Sequence, residues 1–309
     1  SAYGINDTGK IVGMANDSTG AFRNVQWVNG QISTIPEFTG GAGLSVPEDL
    51  NDAGDSVGGQ HVYGGINYAV WWDSQNNPSA LPGIPGGSTA SNWAHAINGP
   101  GQIVGFSREG APNYLTHAVV WFQGAVQTDL GFMGGGNYST AYGINDAGAV
   151  VGVASDAGSN THAFRWQNGQ YTDLATWAGG GAYSVAYAIN NHGVIVGLNA
   201  NVASIWQNGA VHALPMPPGI SAYTPAIDIN DGGDIIATGS KGYPIEVGVL
   251  WRNGTAVDLG TLPGGTISRA RRINAAGEIV GEANAADGYF HAVKWTVTGL
   301  DNPLTSFCL

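Results

Sequence analysis

Ala141-Tyr142-Gly143-Ile144-Asn145-Asp146-Ala147-Gly148-Ala149-Val150-Val151-Gly152, followed by His162-Ala163-Phe164-Arg165-Trp166-Gln167-Asn168-Gly169 and Thr172-Asp173-Leu174, is the stretch on which the fold turns. It reads as four short strands, here called a to d. Apolar and β-branched residues alternate along the runs, which favours strand over helix, and Asp-Ala-Gly and Asn-Gly fall between them as turn signals. The same unit recurs on both sides. Its Ile-Asn or Leu-Asn pair returns at Asn6, Asn51, Asn98, Asn145, Asn190, Asn230 and Asn274, in steps of 45, 47, 47, 45, 40 and 44. A strand of the Ile-Val-Gly type follows each pair. A tryptophan then closes each third run, at Trp27, Trp71, Trp121, Trp166, Trp206, Trp251 and Trp295, and a fourth run ends in Leu, as in Val257-Asp258-Leu259.

One such unit cannot bury its apolar faces alone, but seven stacked in a ring can. The period therefore predicts an all-β fold, a seven-bladed β-propeller of four-stranded antiparallel blades. A single propeller domain is expected over 1–309, with repeats starting near 1, 46, 93, 140, 185, 225 and 269. The tryptophans are read as packing between blades. Counting strands puts the last strand d near Leu300 to Leu304, so no N-terminal strand completes blade seven. Closure is expected from packing between blades one and seven, unless the true strand order is permuted.

Composition narrows the function. The 309 residues carry a net charge of −12, which disfavours nucleic acid and anionic membrane surfaces as partners. Charged residues are only 10% of the chain, and 50 glycines fit many tight turns. No apolar run approaches the ~18 residues of a membrane helix, so no membrane insertion is expected. The start, Ser1-Ala2-Tyr3-Gly4, has no signal-peptide character. Cys308 is the only cysteine, which excludes an internal disulfide and a cysteine-based zinc site. Neither a metal nor a cofactor is expected. A zinc site using His61 and His95 has no tight His spacing behind it. One Asp per a–b turn does not supply the six to eight oxygens that calcium needs.

The pattern Ala-x-Gly-Ile-Asn, Ile-Val-Gly, His-Ala-Phe-x-Trp, Asp-Leu-Gly resembles the HAF family of probable extracellular repeats. His162-Ala163-Phe164-Arg165-Trp166 carries it best, His117-Ala118-Val119 and His291-Ala292-Val293 retain it, and Tyr68-Ala69-Val70 is a degenerate copy. The resemblance spans all seven units and implies an extracellular protein of propeller type. It assigns no catalytic residue. The motif histidine recurs with the architecture and is read as structural.

The two faces of the disc differ. The a–b turns, such as Asp7-Thr8-Gly9 and Asp146-Ala147-Gly148, are short and uniform, and their Asp is expected to bond local backbone beside a glycine of positive φ. The b–c loops on the other face vary from blade to blade. The d–a connections reach that face too, with Tyr138, Trp177, Tyr183 and Tyr223. Variable loops on a rigid scaffold are where function usually sits.

Aligned on the repeating Asn, the position three residues earlier reads Tyr3, Glu48, His95, Tyr142, Tyr187, Ile227 and Arg271, and two further back stand Trp93 and Arg269 among others. These positions break the repeat. The alternate strand face is mostly small, interrupted by Asp49, Asp228 and Arg272. Decoration that differs in every blade favours one central site over a multivalent lectin. The run Ser268-Arg269-Ala270-Arg271-Arg272, in so acidic a chain, suggests a carboxylate or sulfate on the ligand. A competing reading pairs these arginines with Asp228, Glu48 or Asp49 as a structural network.

For a uronic-acid polysaccharide or oligosaccharide, the parts for β-elimination are present: His95 as base, Tyr142 as acid or base, and Arg271 as carboxylate clamp. Glu48, Trp93, Tyr187, Arg269, Tyr3 and Asp228 complete the expected substrate-binding set, with Trp93 or Tyr187 as stacking platform. Two alternatives stand beside the lyase. One is a glycoside hydrolase using Glu48 with Asp228, Asp49 or Glu282. The other is a non-catalytic carbohydrate-binding or adhesion propeller. A monomer is expected.

Overall fold

The computed structural model describes residues 1–38, 43–62, 66–84, 87–221, 224–296 and 305–308. Seven four-stranded antiparallel sheets, each made of four strands consecutive in sequence, give the expected seven-bladed propeller. Blade four is typical, with strands a to d at Ser139–Ile144, Val150–Ser155, Thr161–Gln167 and Gln170–Asp173. The only helical element among the described residues is a 3-10 turn at Leu174–Thr176. The Asn-Gly hairpins form as expected, with Asn168 at φ 52° and Gly169 at φ 81°, the left-handed pair a two-residue turn requires.

The cores lie between blades. Val104, Val120 and Leu130 of blade three, for example, pack with Ala141, Val150 and Phe164 of blade four. The tryptophan series packs there, buried except for the partly buried Trp166, with one change of register. In blade two its member is Trp72 rather than Trp71: Trp72 lies opposite Ser56 as Trp121 lies opposite Ile103, and Trp72 is fully buried while Trp71 is not.

The repeating asparagines hold the ring. Each Oδ1 accepts the N–H four residues on, closing its own a–b turn, as Asn145 does for Ala149 at 2.9 Å. Each Nδ2 donates across the seam to the carbonyl of the next blade's Asn, at 3.0 to 3.4 Å. The seventh bond, from Asn274 to the Asn6 carbonyl at 3.1 Å, closes the circle. The turn glycines take positive φ as expected, Gly9 at 80° and Gly148 at 72°. The turn aspartates do not serve their own turns. Asp52, Asp146, Asp231 and Asp7 accept N–H groups of Asp7, Gly99, Asn191 and Ala275, each in the preceding blade. Local capping is already done by the Asn, which frees the Asp to bridge.

Blade seven is complete in itself, its strand d at Thr305–Cys308 pairing with Phe290–Thr296. The expected strand at Leu300 to Leu304 falls outside the described residues. Among the described residues no strand is exchanged with blade one, and the closing seam is packed by Ala2, Ile5 and Trp27 against Val280 and Ala292.

Candidate functional site

Each inner strand a slips against its neighbour at one shared position, where the residue left without a partner is Tyr3, Glu48, His95, Tyr142, Tyr187, Ile227 or Arg271, and that of blade three slips a second time nearer its start. Every blade thus carries a β-bulge at the position that breaks the repeat. A bulge re-aims side chains and breaks the two-residue alternation. Strict alternation sends Asp49, Asp228 and Arg272 to the face opposite Glu48, Ile227 and Arg271. With the bulge, both sets line the channel at two levels. Nearer the loop face, a cavity of about 190 Å³ is lined by Glu48, His95, Tyr142, Tyr187, Ile227, Arg271 and Arg272. Below it, a cavity of about 150 Å³ includes Asp49, Ala96, Gly143, Ala188, Asp228 and Arg272. The bulge also accounts for the glycine of strand b. A Cβ on Gly105, Gly152 or Gly281 would collide with the carbonyl of Trp93, Thr140 or Arg269.

Glu48 accepts from the Trp93 indole at 2.7 Å and faces His95 Nδ1 at 3.0 Å. Burial opposes its ionisation, yet the bonds to His95 and Trp93 and the charges of His95 and Arg272 together hold its carboxyl below the usual range. An ionised carboxylate only accepts, so His95 Nδ1 carries a hydrogen, and in the neutral imidazole Nε2 is then the nitrogen with the lone pair. Nε2 has no hydrogen-bond partner among the described residues. His95 also packs on Tyr142, ring centroids 5.1 Å apart, and Tyr142 on Tyr187 at 5.3 Å. Burial, then the neighbouring Tyr138 and Tyr187, push the Tyr142 phenol far up, and burial with Tyr183 raises Tyr187. Both are neutral phenols at physiological pH, so Tyr142 carries a proton to give and has no phenolate with which to take one.

The arginines are mostly paired, which favours the network reading for two of the three. Arg269 pairs with Glu246 and Glu282 and lies 5.2 Å over Phe290, away from the cavity that Arg271 lines. Arg272 lies half-buried across the channel, 3.5 Å from Asp49, with one nitrogen 3.4 Å from the His95 carbonyl. Its counter-ions are Asp49 and Asp228 as well as Glu48, the partners that reading named. Arg271 differs. Its side chain is 41% exposed, it contacts Glu282 at 3.2 Å and stacks 5.6 Å from Tyr3, and its Nε has no partner. Tyr3 supports Arg271 from behind and does not line this cavity.

Trp93 is 8% exposed and its ring lies against His61, so it positions Glu48 and offers no open platform. Tyr187 lines the cavity and offers an aromatic surface there beside Tyr142. Asp228 sits one level down, accepting from the N–H of Ile273 and Ile229. Burial, against the opposing charge of Arg272, pushes its carboxyl up to about 6. Glu282 is buried beneath Ser1, Arg269 and Arg271. Among the described residues no three His, Cys, Asp or Glu side chains group as a metal site.

The motif histidines are tied within their own blades. His117 bonds Asp129 and Glu109, and His162 bonds Asp173. The exposed aromatics Tyr114, Tyr138, Tyr183, Tyr243 and Tyr289 belong to b–c loops or d–a connections, on the face where the cavity opens, and Phe22 and Phe290 open the strands c that follow such loops. Trp177 packs inward, and Tyr223 lies outside the described residues.

No family model matches this sequence, and no curated protein matches it. Solved structures do. The β-propeller domain of the Trilobed protease from Pyrococcus furiosus, described as having an open velcro topology, is 11% identical with a TM-score of 0.62, covering 99% of this chain and 97% of that one. A puromycin-hydrolyzing peptidase of Mycobacterium tuberculosis is 12% identical with a TM-score of 0.59, and TolB from Acinetobacter baumannii 12% identical with a TM-score of 0.52. These cover 96% and 93% of this chain and 51% and 76% of the other. The chain spans about half the length of the puromycin hydrolases it matches. At such identities the likeness is one of fold.

Proposed function

We propose that the channel mouth binds the carboxylate-bearing unit of an acidic polysaccharide and cleaves it by β-elimination. The observation that carries this reading is one cavity holding a histidine whose Nδ1–H is fixed by an ionised Glu48 and an arginine whose side chain is 41% exposed. In the reaction, Arg271 receives the uronate carboxylate and makes the adjacent C5–H more acidic. His95 Nε2 takes that proton, the electron pair forms the C4–C5 double bond, and the C4–O bond breaks. Tyr142 protonates the departing oxygen, and the two residues return to their starting states by exchanging protons with water. A hydrolase is supported less, because Glu48 spends its oxygens on Trp93 and His95 and Glu282 is sealed beneath Arg269 and Arg271. The extracellular location and kinship with HAF-type repeats belong to the same proposal and rest on the sequence motif.

The test is a panel of neutral and uronic-acid polysaccharides, read by reducing ends and by the ultraviolet absorbance of the new conjugated double bond, with binding measured in parallel. Both signals with an acidic substrate, lost in His95→Ala and Arg271→Ala while folding persists, are the expected result. Reducing ends without absorbance indicate a hydrolase, and binding without cleavage a carbohydrate-binding propeller. Full activity in either variant removes the assignment.

A further inference from the structure

The channel mouth is uneven in charge around its axis. In ring order the bulge residues of blades four, five and six are Tyr142, Tyr187 and Ile227, none of them charged, and blade seven presents Arg271 with Arg269 two residues before it. The loops over blades four and five bring no Lys or Arg either. Between Arg108 and Lys241 the chain has one, Arg165, which lies beside Trp166 near the c–d turn of the opposite face and bonds Gln167. His117 and His162, near the loop-face ends of their strands, are taken up by Asp129, Glu109 and Asp173.

What this arc carries is phenol. Tyr142 and Tyr187 pack with ring centroids 5.3 Å apart. Tyr138 and Tyr183, from the connections into blades four and five, extend the pair outward. Tyr138 accepts from Thr140 Oγ1 at 3.1 Å, two residues before Tyr142 on the same strand. Tyr138 and Tyr183 both stand close enough to act on the Tyr142 phenol, and Tyr183 acts on Tyr187 as well. At 37% and 44% exposure these two carry the row from the cavity to solvent.

The chemistry decides which unit of a polysaccharide meets this row. Arg271 takes the carboxylate borne on C5 and Tyr142 protonates the oxygen borne on C4, so the departing sugar, bonded to that oxygen, extends from Tyr142 along the tyrosines. Aromatic faces and phenol hydroxyls suit the apolar face and hydroxyls of a neutral sugar. A second carboxylate in the same place would give up water without gaining a cation. We propose that the tyrosine row is a subsite for an uncharged sugar, so that the substrate is a polysaccharide whose cleaved uronate carries a neutral unit on O4, and not a homopolymer of uronates. The direction of the chain rests on the elimination proposed above, and the preference on the distribution of charge. Tyr183, exposed and outside the reacting groups, is the residue that sets specificity.

The probes are two matched pairs of tetrasaccharides: oligogalacturonate against alternating galacturonate and rhamnose, and oligoglucuronate against glucuronate bearing glucose. Within a pair the uronate and its O4 linkage are the same and only the unit on O4 differs. Affinity is measured by calorimetry on folded His95→Ala protein, and cleavage by ultraviolet absorbance on the unaltered protein. In the pair whose uronate is accepted, the mixed oligomer is expected to bind about tenfold tighter or more. Adding Tyr183→Ala is expected to weaken it about three- to tenfold, the range of one aromatic contact, with little change for the homouronate. Adding Tyr183→Arg supplies the missing cation and is expected to narrow or reverse the preference. Equal or tighter binding of the homouronate overturns the proposal, and absorbance from both oligomers then leaves the lyase reading standing. A preference that Tyr183→Ala leaves unchanged overturns the tyrosine assignment. Absence of absorbance from every probe removes the elimination alone, and the neutral subsite is then upheld or overturned by the binding preference and its loss in Tyr183→Ala. No binding of any probe at millimolar concentration overturns both.

Discussion

Glu48 accepts from Trp93 and faces His95 Nδ1, and with both oxygens engaged it has no acid role left to play. Its effect on the reaction runs through the tautomer of His95. Glu48→Gln keeps the volume but can accept from only one of the two rings, so it is expected to lower kcat by about 10²-fold, the lower end of what general acid–base groups contribute. Affinity for the acidic oligosaccharide, measured by calorimetry, should change less than about threefold. Equal loss of kcat and affinity, or loss of neither, would refute a positioning role. One level deeper, Asp228 faces Arg272 and Asp49 in a buried cluster, and its carboxyl is raised to about 6 from an ordinary 3.8. Between those values the folded protein holds a proton that the unfolded chain has released, so linkage makes stability fall as pH rises through that window. The cost of ionising it above pH 6 is about 3 kcal/mol at most, taking 1.36 kcal/mol per pKa unit. Asp228→Asn removes that slope. Wild type should therefore lose stability relative to the variant between pH 4 and pH 7, as read by denaturant unfolding, and a difference flat across that range is the contrary result.

The inner strand is where alternation fails as a guide. The polar set Glu48, His95, Tyr142 and Arg271 was legible because it breaks a seven-fold repeat. The depth of Asp49, Asp228 and Arg272 was not, because a bulge inserts one residue and turns neighbours toward the same channel. Adjacent polar residues at one repeat position, Glu48-Asp49 and Arg271-Arg272, are its trace in the sequence, together with the glycine opposite. That glycine gives a direct test. In Gly105→Ala the new methyl meets the Trp93 carbonyl, and either the bulge that presents His95 moves or strand b does. Overpacking of this kind costs about 1–3 kcal/mol. Because Trp93 and His95 both bond Glu48, the shift should also separate His95 from its carboxylate. The expected outcome is a lower Tm with a disproportionate loss of activity, whereas Gly209→Ala, in a turn far from the channel, should lower Tm alone. Equal effects of the two on activity per folded molecule would show that the bulge does not set the site.

At the scale of the whole ring, the period and its count of seven were readable from the asparagines and tryptophans. What those asparagines do was not, since a bond that repeats at 40 to 47 residues looks in sequence like a local turn signal. The circle of seven side-chain bonds serves where other propellers exchange a strand, and it makes the seams unequal in one respect. Blades four and five are joined by covalent chain through Leu174–Thr176, but no described segment crosses from blade seven to blade one. Asn145→Ala removes a turn-closing bond and a seam bond, and Asn274→Ala removes the equivalent two and the bond from Asn274 to Glu278; each leaves one N–H without its acceptor and the seam carbonyl with only the N–H of Gly193 or Gly9. Each is expected to cost about 2–3 kcal/mol on that ground. In Asn145→Ala the chain still tethers the parted strands, and the loss appears as a lower global stability. In Asn274→Ala the contacts that remain across the seam among the described residues include Ala275–Asp7, Ser1–Glu282, Arg271 over Tyr3 and the packing of Ala2, Ile5 and Trp27 on Val280 and Ala292. Local opening should then precede unfolding, and hydrogen exchange should show selective loss of protection in strands Ala2–Ile5 and Ser268–Ile273. Arg271 and its Tyr3 support lie on those two strands, so affinity for acidic ligands should fall in Asn274→Ala and hold in Asn145→Ala. Matching exchange profiles in the two variants would mean that all seven seams are equivalent and that the ring is closed by packing alone.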